Sequence, residues 1–199
     1  MTNSDEADDP SREIMEATYR ALCEHGYAAT SISKIADEFA KSKSLLYYHY
    51  EDKEDLLEDF LRFLLDEFET EVGSIDKKEP TERLAAILDM LVPRNIDEEE
   101  MYFRRAVLEI RSQAPYHEVY QEQIERSDEL ILGEIIETIE RGIDDGTFRP
   151  VNARQVAEFI YSTAYGAIER GVTLDDKSVL EEGRRAIDDY VDSQVRSYA

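Results

Sequence analysis

Apolar residues in this chain return three and four positions apart, segment after segment, and nowhere in a sustained alternation. That period lines them along one side of an α-helix and supplies no half-buried strand from which to build a sheet. The expected fold is therefore all-α, with about nine helices joined by short turns. The first stripe is Ile14, Ala17, Ala21 and Leu22, over residues 10–24, with Asp9 as cap, Pro10 in the first turn and Gly26 ending the helix through positive φ. Ser31 caps a short helix whose inner side is Ile32, Ile35, Ala36 and Phe39, and a second short helix runs from Ser42 to about Tyr50. A long helix over 52–72 carries Leu56, Leu57, Phe60, Leu64 and Phe68, and a loop follows over 76–80. Helices are expected over 81–91 and 97–113, stopped by Pro93 and Pro115, and over 116–145 with Ile124, Ile131, Ile135, Ile139 and Ile143 on one side. After the turn DDGTFRP, Asn152 caps a helix to about Val172, and a last helix spans 177–196.

Charge is the second constraint. The 199 residues carry 47 Asp and Glu against 23 Lys and Arg, a formal net charge of −24. The acids are spread along the chain, which resembles the proteomes of salt-accumulating halophiles, where a carboxylate-covered surface stays hydrated in molar salt. An acidic interaction protein is the alternative. A hydrophobic content of 42% argues against disorder. No apolar run approaches the roughly 18–20 residues that cross a bilayer, and MTNSDEADDP lacks the order of a signal peptide, so a cytoplasmic protein with no membrane partner is expected. Cys23, the one cysteine, reads as a small buried hydrophobe.

Against this background residues 25–50 stand out. Their only acids are Asp37 and Glu38, against Lys34, Lys41 and Lys43, and Lys53 follows closely. A chain that uses lysine at only seven positions has placed four of them here, as for contact with a polyanion. The two short helices are too short to be stable by themselves and must be braced by the first through Ile32, Ile35, Phe39 and Leu46. In a helix–turn–helix the second helix enters the major groove N-terminus first. That puts Lys43, Ser44 and Leu45 nearest the base edges and Ser42 near a phosphate. Ser31, Tyr47, Tyr48, His49 and Lys53 complete the candidate DNA-binding set, the rings and hydroxyls suiting phosphate oxygens or a thymine methyl.

The run GYAATSISKIADEF, followed by Ser42, Leu46, Tyr47, His49, Tyr50, Lys53 and Leu56 in the register S-x-x-x-L-Y-x-H-Y-x-x-K-x-x-L, resembles the TetR/AcrR family of transcriptional regulators. The likeness covers roughly residues 10–57; beyond it only helix count, helix length and the G-x-F-R-P turn agree. Four residues depart from the family pattern: Phe39, Ala40 and Lys41 stand where A-G-V is frequent, and Ser44 stands for a common glycine. They bear on docking angle or base preference.

The resemblance implies three parts: an acidic disordered tail over 1–9, a helix–turn–helix DNA-binding domain over 10–57, and a helical ligand-binding and dimerisation domain over 58–199. It also implies a homodimer on a palindromic or near-palindromic double-stranded DNA operator, most simply a repressor, whose last two long helices form the interface. Gly146 to Ile168 contains a single acid, Glu158, and Val156, Ile160, Ala164, Gly166, Ala167 and Ile168 are small or apolar, as close helix packing requires. With Ile187 and Tyr190 of the last helix they are the candidate interface, or else ordinary core. A small-molecule effector pocket is likewise implied, with Phe60, Phe63, Met90, Met101, Tyr102, Phe103, Tyr116 and Tyr120 as candidate lining or plain core. Arg104 and Arg105 could meet an anionic effector, or pair along the helix with Glu100 and Glu109.

Other chemistry is sparse. His25, His49 and His117 share no ligand spacing, there is no HExxH, cysteine pair, phosphate-cradling glycine loop or nucleophile elbow, and neither a cofactor, a metal nor an enzyme is expected. Besides the DNA-binding regulator, two other classes stand: a helical interaction protein that does not bind DNA, and an enzyme with an unrecognised pocket. Exposure of Lys43, Tyr47, Tyr48 and Lys53 separates the first two.

Overall fold

A computed structural model describes residues 10–39 and 43–197. Among them the regular structure is helical: α1 Pro10–Ala29, α2 Ile32–Glu38, α3 Lys43–His49, α4 Lys53–Ser74, α5 Pro80–Leu91, α6 Glu98–Gln113, α7 Glu118–Asp144, α8 Ala153–Leu174 and α9 Lys177–Tyr190. The expected tail over 1–9, its capping Asp9, and Ser42 lie outside the described residues. The chain packs as two compact units, residues 1–66 with 98–124, and residues 67–97 with 125–199. The dividing lines fall within α4, before α6 and within α7, and neither unit is contiguous in sequence.

In the first unit α1 lies against both α2 and α6. Its stripe, Ile14, Met15, Ala17, Ala21 and Leu22, is buried together with Ile32, Ile35, Ala36 and Phe39 of the α2 region, Leu46 of α3, and Leu56, Leu57 and Phe60 of α4. From α6 onward Ala106, Ile110, Ala114 and Tyr120 close the same core. α1 runs one turn further than its sequence suggests. Gly26 leaves helical geometry at φ 70° and ψ 169°, and the chain then makes a last turn to Ala29. Buried Thr30 pins this kink, its hydroxyl donating to Gly26 O at 2.6 Å and Ala21 O at 3.2 Å. Ser31 caps α2 by accepting from the Lys34 amide, and Arg20 Nη2 donates to Glu38 O at 3.0 Å at its other end. Asp52 Oδ1 accepts the Asp55 amide at 2.9 Å and so starts α4.

In the second unit α5 begins one residue early, Pro80 serving as its first residue where a missing N–H costs nothing. Two arginines are buried. Arg83, on α5, reaches Thr138 and the Glu134 carboxylate at 2.6 Å on α7. Arg184, on α9, donates to Val92 O at 2.7 Å and pairs with Asp89 at 2.7 Å and Asp188 at 3.1 Å, closing the C-terminal end of α5. Ile135 and Ile139 of α7 are fully buried. α8 and α9 cross closely: a Cβ on Gly171 would overlap Leu180, and one on Gly183 would overlap Ala167. Asp175 turns between them in the left-handed region at φ 54°, and Asp176 caps α9. Past Tyr190 the chain loosens into a π-helical turn, Val191–Val195, whose end meets the turn after α7 through Arg149 N–H to Val195 O at 2.8 Å.

That turn, DDGTFRP, folds Phe148 back over Gly142, where a Cβ would overlap the ring. Gly142→Ala is expected to lower stability by about 1–3 kcal/mol through this overlap, seen as a lower urea midpoint at unchanged slope. An unaltered midpoint would mean that the buried ring can move aside.

Candidate nucleic-acid interface

The geometry of α3 is set by one buried side chain. Leu46 is fully enclosed and Tyr50, just past the helix, is buried with its hydroxyl donating to Asp59 at 3.2 Å. Burial and the neighbouring carboxylate push the Tyr50 phenol far above its usual range, so it stays a neutral donor. Leu45 is half-buried against the same core. At 100° per residue, anchoring Leu46 inward turns Lys43, Ser44, Tyr47 and Tyr48 together onto an arc of about 140°. All four are exposed, Tyr47 by 57% and Tyr48 by 83%. His49 is exposed too, and its ring stands edge-on to Tyr48 at 5.3 Å. Two bare tyrosines on a two-turn helix are costly to keep in water unless something covers them.

Two lysines of this head are engaged within the chain. Lys43 Nζ pairs with Asp37 Oδ1 of α2, both side chains being more than half exposed. Lys53, half-buried at the start of α4, donates from Nζ to Tyr27 O at 3.2 Å and sits 3.9 Å from the centre of the Tyr27 ring. Ser31 is exposed while it caps α2. Asp37 and Tyr27 therefore belong to this surface although the motif does not single them out. Six positions separate Asp37 from Lys43, too many for a pair along one helix, and the contact joins α2 to α3.

The candidate effector-lining residues scatter. Phe60, Met101 and Tyr120 are buried, Tyr120 donating to Glu54 O at 3.3 Å, and Phe63 and Phe103 are half-buried against the same core. Tyr102 is 45% and Tyr116 82% exposed, and Met90 is half-buried in the other unit. Of these, Tyr102 borders an open cavity of about 800 Å³ in the first unit, with Arg20, Cys23, His25, Glu38, Arg105 and Glu109. Cys23 is half-buried there, its thiol pushed up to about 11 chiefly by burial. Arg104 pairs with Glu100 at 2.7 Å, whereas Glu109 turns away from its own helix to accept the Tyr27 amide at 2.7 Å. Among the described residues no group of three or more His, Cys, Asp or Glu could hold a metal ion, and no helix is long and apolar enough to cross a membrane.

On α8 and α9, Val156, Ile160, Ala164, Ala167 and Ile187 are buried by the chain itself, and Ile168 and Tyr190 are half-buried. The outward side instead shows Phe159, 44% exposed, with its ring 4.2 Å from that of Tyr190. At 100° per residue Phe159 stands about 60° from Val156 and about 100° from Ile160, at the edge of the buried side of α8.

Residues 14–60 match the family described as bacterial regulatory proteins, tetR family, and residues 80–196 match the BetI-type transcriptional repressor C-terminal domain. The chain belongs to the TetR family. A TetR transcription regulator from Haloarcula marismortui is 39% identical, with a TM-score of 0.85 over 94% of this chain and 99% of that one. A putative transcriptional regulator from Saccharomonospora viridis, solved in complex with choline, shares the fold at 20% identity and a TM-score of 0.80, over 94% and 98%. The transcriptional repressor AcnR from Corynebacterium diphtheriae is 33% identical over 45 residues, 23% of this chain and about a quarter of that protein's length. TetR-family regulators bind DNA, and on this chain the exposed Lys43–Asp37 pair links α2 to α3. Asp37→Asn is expected to free Lys43 and remove a facing carboxylate, tightening binding about two- to fivefold in fluorescence anisotropy at low salt. Unchanged affinity would show that the pair does not compete with DNA.

Proposed function

We propose that this chain is a homodimeric repressor that reads a near-palindromic duplex with α3 and is switched by a small organic effector. The observation that carries the reading is the outward arc of Lys43, Ser44, Tyr47 and Tyr48 around a buried Leu46. Side chains on such an arc reach base edges, with His49 and Lys53 at the flanking backbone. Repression is supported by the BetI-type match and the AcnR segment. An organic effector is supported by the choline held by the S. viridis regulator. Of the aromatic candidates, Tyr102 is the one at the rim of a cavity in the first unit. Phe159 with Tyr190 supports an isologous interface of α8 and α9, because an apolar patch presented by paired helices is what a twofold partner covers.

The acidity of −24 and the Haloarcula relative support a salt-rich cytoplasm as the working environment. Salt then decides how DNA is held. Each phosphate contact contributes a slope of about −0.9 in log affinity against log salt, and this driving force nearly vanishes at molar salt. A head whose Lys43 is paired with Asp37, and whose face is largely tyrosine and serine, suits neutral hydrogen bonds, apolar contact and shape fit.

Titrating operator binding against potassium chloride tests this reading. A shallow slope, near −3 or weaker, is expected; a slope of six or more contacts would refute the neutral-contact account. Tyr47→Ala is expected to lower operator affinity at least tenfold, or about 1.4 kcal/mol, with an unchanged melting temperature, and full binding by this variant would show that another surface meets the DNA. In light scattering Phe159→Asp is expected to halve the molar mass of a dimeric wild type, whereas a variant that stays dimeric would remove this face from the interface.

A further inference from the structure

Because Gly26 breaks helical geometry inside α1, the next amide, Tyr27 N–H, has no carbonyl four residues back to bond. It is not left unpaired. Oε2 of Glu109, from α6, accepts it at 2.7 Å across 82 positions of sequence. Gly26 itself lies along the same carboxylate, a Cβ there falling 3.5 Å from Oε2. A carboxylate on a free N–H at the start of a helical turn makes a charge-assisted bond and is favoured by the local peptide dipoles. On the other side of the kink the Thr30 hydroxyl holds Gly26 O. The last turn of α1 is therefore oriented by a side chain of α6.

Tyr27, so oriented, is what holds Lys53. Its carbonyl accepts from Nζ at 3.2 Å and its ring lies beneath the ammonium at 3.9 Å. An ammonium has three N–H donors, and this carbonyl uses one of them. A lysine side chain loses much rotamer freedom when it binds, so one already confined against a ring and a carbonyl meets a further acceptor at lower entropic cost. On the DNA-binding reading above, we propose that Glu109 is a positioning residue for DNA binding: through Tyr27 it fixes the Lys53 ammonium where a phosphate beside α3 meets it. Glu109 itself does not touch the duplex.

The sign of the effect separates this role from simple electrostatics. Taking one carboxylate from a chain of net charge −24 reduces its repulsion from DNA and, by charge alone, tightens binding. Positioning requires the reverse for Glu109→Ala. Glu109→Gln, which keeps an oxygen acceptor for Tyr27 N–H and loses the charge, is expected to bind at least as tightly as the wild type.

The experiment is a salt titration of the full chain and its variants on a duplex selected by the wild type from genomic fragments. Glu109→Ala is expected to bind about tenfold more weakly at low salt, with a log–log slope less negative by about 0.9. Lys53→Ala is expected to do the same, and the double variant to be no weaker than Lys53→Ala. Wild-type affinity or slope in Glu109→Ala, or additive losses in the double variant, would overturn the positioning role. Should Glu109→Ala melt too early to be assayed, Tyr27→Leu removes the ring beneath Lys53 while keeping the carbonyl, and a wild-type slope there would equally overturn it. If the wild type selects no duplex, the DNA-binding reading falls and the proposal with it; if it does and Glu109→Ala matches it, only the positioning role falls.

Discussion

Helices of seven residues do not hold themselves in water, and α2 and α3 are both of that length. Nucleating each costs more than its few internal hydrogen bonds return, so their existence depends on what their inner faces touch. Leu46 is the decisive contact, because it is the one residue of α3 that is fully buried. Enclosing such a side chain contributes about 1.5–3 kcal/mol, and it also sets the rotation of α3 about its own axis. Ile32, Ile35 and Ala36 do the same for α2. Orientation of the outward residues is thus a consequence of the core. A polar residue at position 46 would not merely weaken the head; it would remove the reason for Tyr47 and Tyr48 to face outward.

A chain this acidic has to approach another polyanion, and the structure meets that difficulty by local arrangement. Around α3 two lysines are engaged within the chain, Lys43 on Asp37 and Lys53 on Tyr27. Exposed ion pairs are weak and become weaker as salt rises. In molar salt, therefore, the Lys43–Asp37 pair costs little to open, and phosphate contacts gain little by forming. What retains its strength in salt is apolar burial, which excluded salts reinforce. Exposed tyrosines supply that burial together with a hydrogen-bonding hydroxyl, which gives a physical reason for their place on the reading face.

Local features were legible from residues alone. The caps at Ser31 and Asn152, positive φ at Gly26, the stripes of α1 and α4, and Leu46 as the inward residue of α3 all depend on neighbours within a turn or two. Features created by distant partners were not. α1 continues past Gly26 because Glu109 receives the amide that the kink exposes. Arg83 and Arg184 carry the charge of solvated residues, and nothing near them in sequence announces that Glu134 or Val92 O awaits them inside. On α8 the small apolar residues were recognisable, but whether Val156 and Ile160 face the chain's own interior or a partner is decided by where α9 packs. Of the residues that depart from the family pattern, Ala40 and Lys41 lie outside the described residues.

The grouping of α6 with α1 to α3 is the least local feature and has the widest consequence. In chain order α6 follows α5 and belongs to the later helices, yet it packs along α1, where Phe103 stacks on Tyr19 at 4.8 Å and Ala106 and Ile110 enter the core shared by α2, α3 and α4. Interiors packed to this density move between discrete arrangements and do not deform smoothly. A displacement of α6 along its axis would have to carry Glu109 with it, and the Tyr27 amide would either follow or lose its acceptor at the cost of an unpaired buried group. Either response moves the carbonyl and ring that hold Lys53. Any influence that acts on α6 therefore has a short covalent and hydrogen-bonded route to the start of α4, without first having to disturb Leu46 or the orientation of α3.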